Sequence, residues 1–287
     1  MAENILRVEG LTKVYPGFTL DKVSFCAPKG AIVGLIGENG AGKSTALEAI
    51  LGLIRPDGGK VWLWGQEGES LEPAQREKIG VVLDGGNFPQ GLTAEQLDRV
   101  LGRIYPSWQA KRYSALLNRL KVPGGKKVKE LSKGMKVKLA LAAALSHDSR
   151  FLVLDEVTSG LDPVVREDIL DLFLEFIQDE EKGILISSHI TGDLEKVADY
   201  IVFLHQGKVL LEKPKDQLLY EYGILRCGEE QFRALDRADL LAWRRQGYQW
   251  EALVADRKAA QRKYAQGVAD PASLEEIMLM YVKGERP

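Results

Sequence analysis

The stretch Gly37 to Thr45, GENGAGKST, sets Gly37 and Gly42 in the pattern G-x-x-x-x-G-K-[ST], which Lys43 and Ser44 complete. Those residue types suit one task. Glycines let backbone amides approach a chain of phosphates, the lysine meets the β and γ groups, and the serine hydroxyl coordinates Mg²⁺. Further along, FLVLDE puts Asp155 at the end of an apolar run, where a carboxylate can hold the metal's water shell beside the phosphates. Glu156 follows at once and can accept hydrogen bonds from an attacking water, orienting it for in-line displacement at the γ-phosphate. An acidic pair alone can simply cap a strand. Beside a complete phosphate loop it reads as the second half of a hydrolytic site.

A third stretch is less easily placed. ELSKGMKVKLALAAAL, Glu130 to Leu145, opens with Ser132, Lys133 and Gly134 and runs into a strong helix pattern. Exposed amides at a helix start attract anions, so this chain carries two phosphate-type sites, and the second needs a reason.

Positioning these groups requires alternating strands and helices. Ile5 to Val8 and Phe18 to Ala27 are β-rich, and Ala31 to Ile36 is a continuous apolar strand that feeds the glycine loop and then a helix through Leu53. Strand, loop and helix in that order are what a phosphate loop requires. Val61 to Trp64 and Ile79 to Leu83 read as strands, whereas Thr93 to Leu120 reads as two helices separated near Pro106. Phe151 to Leu154 is a buried strand, and a helix from Pro163 to Gln178 gathers Ile169, Leu172, Phe173, Phe176 and Ile177 on one face. Ile184 to Ser188 and Tyr200 to Leu204 return to strand. The sum is an α/β fold with a mostly parallel core sheet and a helical insertion. From about Arg226 the chain becomes a dense mix of charges with Trp243, Tyr248 and Trp250. It ends in a capping box, Ser273 with Glu276, ahead of a helix bearing Leu274, Ile277, Met278 and Tyr281 on one face. We expect a main unit over 1–225, its helical part at about 85–147, and a small appendage over 226–287.

Composition narrows the function classes. A hydrophobic share of 45% and a net charge of −2 over 287 residues describe an ordinary globular protein without a basic field to attract nucleic acid. The one dense basic run, Lys126, Lys127, Lys129, Lys133, Lys136 and Lys138, has no interleaved aromatics, so it reads as a solvated face that also draws in a polyanionic nucleotide. Cys26 and Cys227 lie far apart without metal-ligand spacing, which fits a reducing compartment. No export signal opens the chain, and its most apolar stretch, Leu139 to Leu145, is too short to span a bilayer. The expected location is cytosolic, at a membrane only if another chain holds it there.

At this point the residues resemble a family: the ATP-binding subunits of ABC transporters. GENGAGKST resembles the Walker A motif, LSKGM the ABC signature (usually LSGGQ), FLVLDE the Walker B motif with its catalytic glutamate, SGLD at Ser159 to Asp162 the D-loop, and His189 in SSHI the switch histidine. The resemblance covers about residues 1 to 222. It implies an ABC cassette of the P-loop NTPase class with an N-terminal antiparallel β subdomain, and ATP with Mg²⁺ as cofactors. It further implies nucleotide contacts from Gly37, Asn39, Gly40, Ala41, Gly42, Lys43, Ser44 and Thr45, metal contacts from Ser44, Asp155 and Asp84, and catalysis by Glu156, His189 and Lys43. Because cassettes of this family pack head to tail, Ser132 and Gly134 would serve the γ-phosphate bound to a partner copy. That answers the question of the second anion site. Asp162 would help shape the dimer interface, and Tyr15 stands where an aromatic stacks on adenine, with a strand aromatic in the core as the lesser alternative for Tyr15.

Several positions depart from the family pattern. Lys133 replaces the usual first signature glycine and adds a positive charge near the partner's phosphates; Met135 replaces a glutamine; Val157 replaces a common proline. Asp84, in VVLDGGNF, stands where many members carry the Q-loop glutamine, and a carboxylate can meet a metal-bound water but cannot donate an amide hydrogen bond. One cassette without a membrane span implies a separate multi-span membrane chain. The form of the signature and the tail SLEEIMLMYVKGE are most similar to bacterial two-component exporters of peptides or antimicrobial compounds. An importer subunit, or a soluble ATPase of ribosomes or DNA, are the alternatives. The latter usually carry tandem cassettes or a long coiled coil, and neither is present.

Overall fold

The computed structural model describes residues 3–84, 88–265 and 267–287. Alternating buried and exposed residues let β1 (Asn4–Tyr15) and β2 (Phe18–Pro28) form an antiparallel hairpin with one face in the core. β3 (Ile32–Ile36) is buried at every position and ends at the glycine loop, which opens α1 (Lys43–Ile50). The chain then returns through β4 (Gly58–Leu63) and the short β5 (Gln66–Glu67), completing an antiparallel sheet in the order β2-β1-β4-β5.

After α2 (Pro73–Arg76), β6 (Ile79–Val82) joins the central sheet. Next come three helices, α3 (Ala94–Ile104), α4 (Ala110–Arg119) and α5 (Lys133–Ala144), in the region where an insertion was expected. Thr93 and Gln96 form a capping box at the start of α3. The buried Tyr113 hydroxyl donates to the Ala94 carbonyl at 3.1 Å, and His147 stacks on Tyr105 at 4.3 Å. Gly85, Gly86 and Asn87 of the expected Q-loop lie outside the described residues. The rest of the core unit is β7 (Phe151–Asp155), α6 (Pro163–Phe176), β8 (Gly183–Ser188), α7 (Thr191–Val197), β9 (Tyr200–His205), β10 (Lys208–Pro214) and α8 (Lys215–Tyr220). The central sheet runs β10-β9-β3-β8-β7-β6, parallel throughout except for β10.

One sequence expectation fails in detail. Lys138 is not on a solvated face: it is buried, and its Nζ donates to Asp168 of α6 at 2.9 Å. The helical period turns it inward while Lys126, Lys127, Lys129 and Lys133 stay exposed.

The C-terminal region builds its own sheet. β11 (Gly223–Cys227), α9 (Glu229–Arg233), β12 (Leu240–Gln246), β13 (Gln249–Val254), α10 (Arg257–Lys263), β14 (Val268–Pro271) and α11 (Leu274–Lys283) follow in turn, with antiparallel strands ordered β12-β13-β11-β14. β11 straddles the boundary expected at residue 225. One face of this sheet packs a small core containing Cys227, Phe232, Trp243 and Ala260. Ala242, Leu253 and α11 residues Leu274, Ile277 and Met280 join the core of the main unit instead, where Tyr281 meets Phe203 edge-on at 6.2 Å. Among the described residues, no helix is long and apolar enough to cross a membrane.

Arg226 ties the appendage together. Its guanidinium donates to Asp270 at 2.6 Å and Glu276 at 2.8 Å and contacts Glu251 at 3.3 Å. Glu276 in turn closes the capping box of α11, accepting from Ser273 N at 3.0 Å while its own N–H donates to Ser273 Oγ. Burial opposes charge on Glu276, but hydrogen bonds from Ser273 and Arg226 outweigh it and hold the carboxyl below its ordinary range. Removing the guanidinium leaves three carboxylates crowded together. Arg226→Ala should therefore cost about 2 kcal/mol, below the full cost of a buried pair because the site is partly solvated. Urea unfolding checks this, and a change within about 0.5 kcal/mol, the range of ordinary surface substitutions, would contradict it.

Candidate nucleotide site

The site lies at the C-terminal edge of the central sheet, where open α/β sheets place ligands. Register brings its parts level: Leu35 pairs with Ser187, Ile36 with both Ser188 and Phe203, and Asp155 with Ser187. The chain leaving β3 cannot carry a side chain at Gly37, where a Cβ would sit 2.3 Å from the Leu204 carbonyl oxygen. At Gly42, with φ at 106°, a Cβ would come within 2.7 Å of the Phe18 ring. Glu38, Asn39 and Gly40 are exposed, whereas Ala41 is buried and its N–H donates to the Glu38 carbonyl at 3.1 Å. No side chain caps α1, and uncapped amides at a helix start can receive an anion.

Lys43 is 6% exposed, and its Nζ donates to the carbonyls of Gly37 at 2.8 Å and Glu38 at 3.3 Å. It also lies 3.2 Å from Glu156 Oε1. Glu156 adopts a left-handed backbone with φ at 51°, a conformation costing a non-glycine residue about 1 kcal/mol or more. Its N–H points at the Ser187 carbonyl and hydroxyl, each at 3.2 Å. This turn sends the side chain back over the loop, where Oε2 meets His189 Nδ1 at 2.6 Å. The buried Oε1 receives no hydrogen bond among the described residues, despite its proximity to Lys43.

Asp155 is buried, and its Oδ1 accepts from the Ser187 hydroxyl. Ser187 therefore orients both acidic residues, a role the sequence reading did not assign although Ser187 and Ser188 interrupt an apolar strand directly before His189. Ser44 presents its side chain to solvent on the first turn of α1. Among the described residues there is no cluster of three or more His, Cys, Asp or Glu able to cage a metal. A serine and an aspartate beside a phosphate loop nevertheless fit Mg²⁺, which keeps waters and takes its other ligands from phosphate. Asp84 shares a cleft of about 310 Å³ with Gln90, Lys133, Lys136, Asp155 and Glu156.

The remaining sequence candidates stand further out. Ser132 caps α5, its hydroxyl accepting from Met135 N at 3.3 Å. Gly134 faces Leu161 and Val165, which a Cβ would contact at 3.5 and 3.6 Å. Asp162 caps α6, accepting from Val165 N at 3.0 Å. Tyr15 is 39% exposed at the end of β1 and pairs with Phe18, whose ring abuts Gly42, so it is not a core aromatic. A further feature was not foreseen: α11 forms one wall of a cleft of about 590 Å³ whose other wall is the phosphate loop with His189 and Ile190.

Comparison with known proteins decides the family. The family model described as ABC transporter matches residues 20–159. The ABC transporter ATP-binding protein YtrB of Bacillus subtilis (strain 168) is 33% identical over 219 residues, spanning 76% of this chain and 75% of that protein. The lantibiotic transport ATP-binding protein SrtF of Streptococcus pyogenes is 34% identical over 215 residues, spanning 74% and 92%. The chain belongs to the ABC transporter ATP-binding family. This ABC cassette is also similar to a solved ATP-binding subunit of an ABC transporter, at 29% identity and a TM-score of 0.66, covering 75% of this chain and 91% of that one. The bacitracin transport ATP-binding protein BcrA of Bacillus licheniformis is 32% identical over 217 residues, spanning 75% of this chain and 71% of its own. The cassette is thus a nucleotide-binding ATPase.

Gly37 is the sharpest steric test of its loop. Gly37→Ala should lower ATP affinity at least about tenfold, the ~1.4 kcal/mol expected of even a modest displacement of the phosphate cradle. Gly40→Ala, which meets open space but retains a strained φ of 81°, should lose less. Titration with a fluorescent ATP analogue separates the two, and equal losses would show that strain rather than the Leu204 contact controls the loop.

Proposed function

We propose that this ABC ATPase is the energising subunit of a membrane exporter, hydrolysing ATP between two copies of itself and driving a separate multi-span membrane chain that carries a peptide, antimicrobial or lipid-like substrate. The observation that carries the reading is Glu156, aimed by a left-handed backbone so that one carboxylate oxygen meets His189 and the other lies buried beside Lys43. In this reading Lys43 and the α1 amides hold the β- and γ-phosphates, and Tyr15 stacks on the adenine. Ser44 and Asp155 would hold Mg²⁺, which would supply charge to offset that of the phosphates, with Asp84 placed to assist on the same side. Glu156 orients the attacking water and takes its proton, with His189 sensing the γ-phosphate. Ser132, exposed at the start of α5, and the half-buried Gly134 complete the site of the partner copy, and Asp162 shapes the interface between them.

Export rather than import is supported by the company the sequence keeps: transport proteins for a lantibiotic and for bacitracin are among its relatives. Held by a membrane chain, the subunit would be peripheral, on the cytoplasmic face. No nucleic acid partner is expected.

The reading makes two commitments. Glu156→Gln keeps the hydrogen-bonding shape but removes the base, so it should abolish turnover and trap an ATP-bound dimer. Light scattering with ATP and Mg²⁺ checks this, and a persistent monomer would refute the sandwich for the isolated subunit. Affinity purification from detergent-solubilised membranes should recover a stoichiometric multi-span chain. Recovery with ribosomes or DNA-repair factors, and no membrane protein, would overturn the exporter assignment.

A further inference from the structure

Among the described residues, four buried side-chain atoms have no hydrogen-bond partner: Glu156 Oε1, Thr158 Oγ1, Arg166 Nε and Asp193 Oδ2. They do not scatter over the fold. Glu156, Thr158 and Arg166 follow β7 through the turn into α6, and Asp193 lies on α7, in the segment directly after His189. An unbonded buried polar atom is costly, so a group of them along one path calls for a reason. Glu156 has its reason in the nucleotide site already described. Arg166 and Asp193 supply one for each other.

The Asp193 side chain is 4% exposed, and its Oδ2 faces Arg166 Nε across 3.7 Å. That is near enough to attract and too far to bond. The same guanidinium reaches the Leu161 carbonyl through its other nitrogen, at 3.4 Å. One side chain therefore spans the turn that follows Glu156 and the helix that follows His189.

The later part of α7 is tied down. Leu194 sits over Gly34 of β3, where a Cβ would come within 2.9 Å of its Cδ1. Glu195 accepts from the Leu274 N–H of α11 at 2.8 Å, and Lys196 donates to Glu167 of α6. The first turn is different: no side chain caps it, Gly192 is exposed, and a Cβ there would meet nothing within 4 Å. The end of α7 with room to move is the end that carries His189.

We infer that Arg166 and Asp193 form a latch that positions His189, open at 3.7 Å and closed when His189 engages the γ-phosphate. The inference rests on the sensing role proposed for His189 above. The gap exceeds an ordinary N–H···O distance by about 0.8 Å, so a small shift of the first turn of α7 toward α6 closes it. Closure gives two of the four orphan atoms their partners, and their opposite charges favour it in a buried setting. Arg166 acts through α7 and does not itself touch the nucleotide.

Turnover and hydrogen exchange of the full chain test the latch. Arg166→Met keeps the side-chain stem and removes the charge; Asp193→Asn keeps the shape and serves also if Arg166→Met fails to fold. Either should lower kcat about tenfold or more, as small misplacements near the chemistry do, with KM for ATP within about twofold of the original. The double variant should be no worse than the single ones. In the Glu156→Gln background, ATP should slow exchange of the α7 amides. Adding Arg166→Met should abolish that slowing while the glycine-loop amides stay protected by bound nucleotide. The latch is refuted if kcat stays within about twofold in both single variants, or if α7 exchange ignores ATP in the Glu156→Gln protein. It is equally refuted if Arg166→Met speeds α7 exchange by the same factor with and without ATP, the mark of a merely structural pair. His189→Ala separates the two levels of the reading. Turnover lost in His189→Ala but kept in Arg166→Met leaves the sensor standing without the latch, and normal turnover in His189→Ala removes both.

Discussion

Everything at the nucleotide site depends on the register of β3 between β8 and β9. Because Leu35 lies level with Ser187, and Ser187 level with Asp155, the three chain ends that carry the phosphate loop, the acidic pair and His189 leave the sheet at one height. A slip of one residue would turn every side chain to the other face. β3, β7 and β8 are buried on both faces, so such a slip would have to repack two close-fitted layers at once, and an apolar core sets the geometry of a highly charged site.

The same layer explains why strain is tolerated where it occurs. Glu156 could relax from its left-handed conformation only by swinging away from Lys43 and His189, and its N–H is held by Ser187 from the neighbouring strand. The cost is carried by the surrounding structure and leaves a carboxylate oxygen buried without a hydrogen bond. Such a group is poised to accept one.

Much of this was legible in the residues. A continuous apolar run ending in glycines announces a buried strand and the turn into α1, and the run before Asp155 and Glu156 announces a second buried strand that ends in two acids. What could not be read was arrangement. Nothing local to Ile32–Ile36 says that its neighbours will be strands some 150 and 170 residues later, and the packing of α11 beside the loop follows from that long-range order. Lys138 was misread because a run of lysines looks uniform until helical periodicity places one of them inward. The strands of the appendage were missed although a signal existed: LLAWRRQ and QWEALV flank Gly247 and Tyr248, and Gly247 turns the hairpin at a φ of 63°.

The appendage shares its interior with the cassette, since Leu274, Ile277 and Met280 lie in the same apolar cluster as Leu139, Leu154 and Phe203. A module joined by a loose linker can be exchanged between genes by recombination, leaving each half intact. This one cannot, because cutting it away would expose part of the cassette's own interior. Change in α7 and β9 must be answered by change in α11, so the two regions are bound to diversify as one lineage rather than as interchangeable parts.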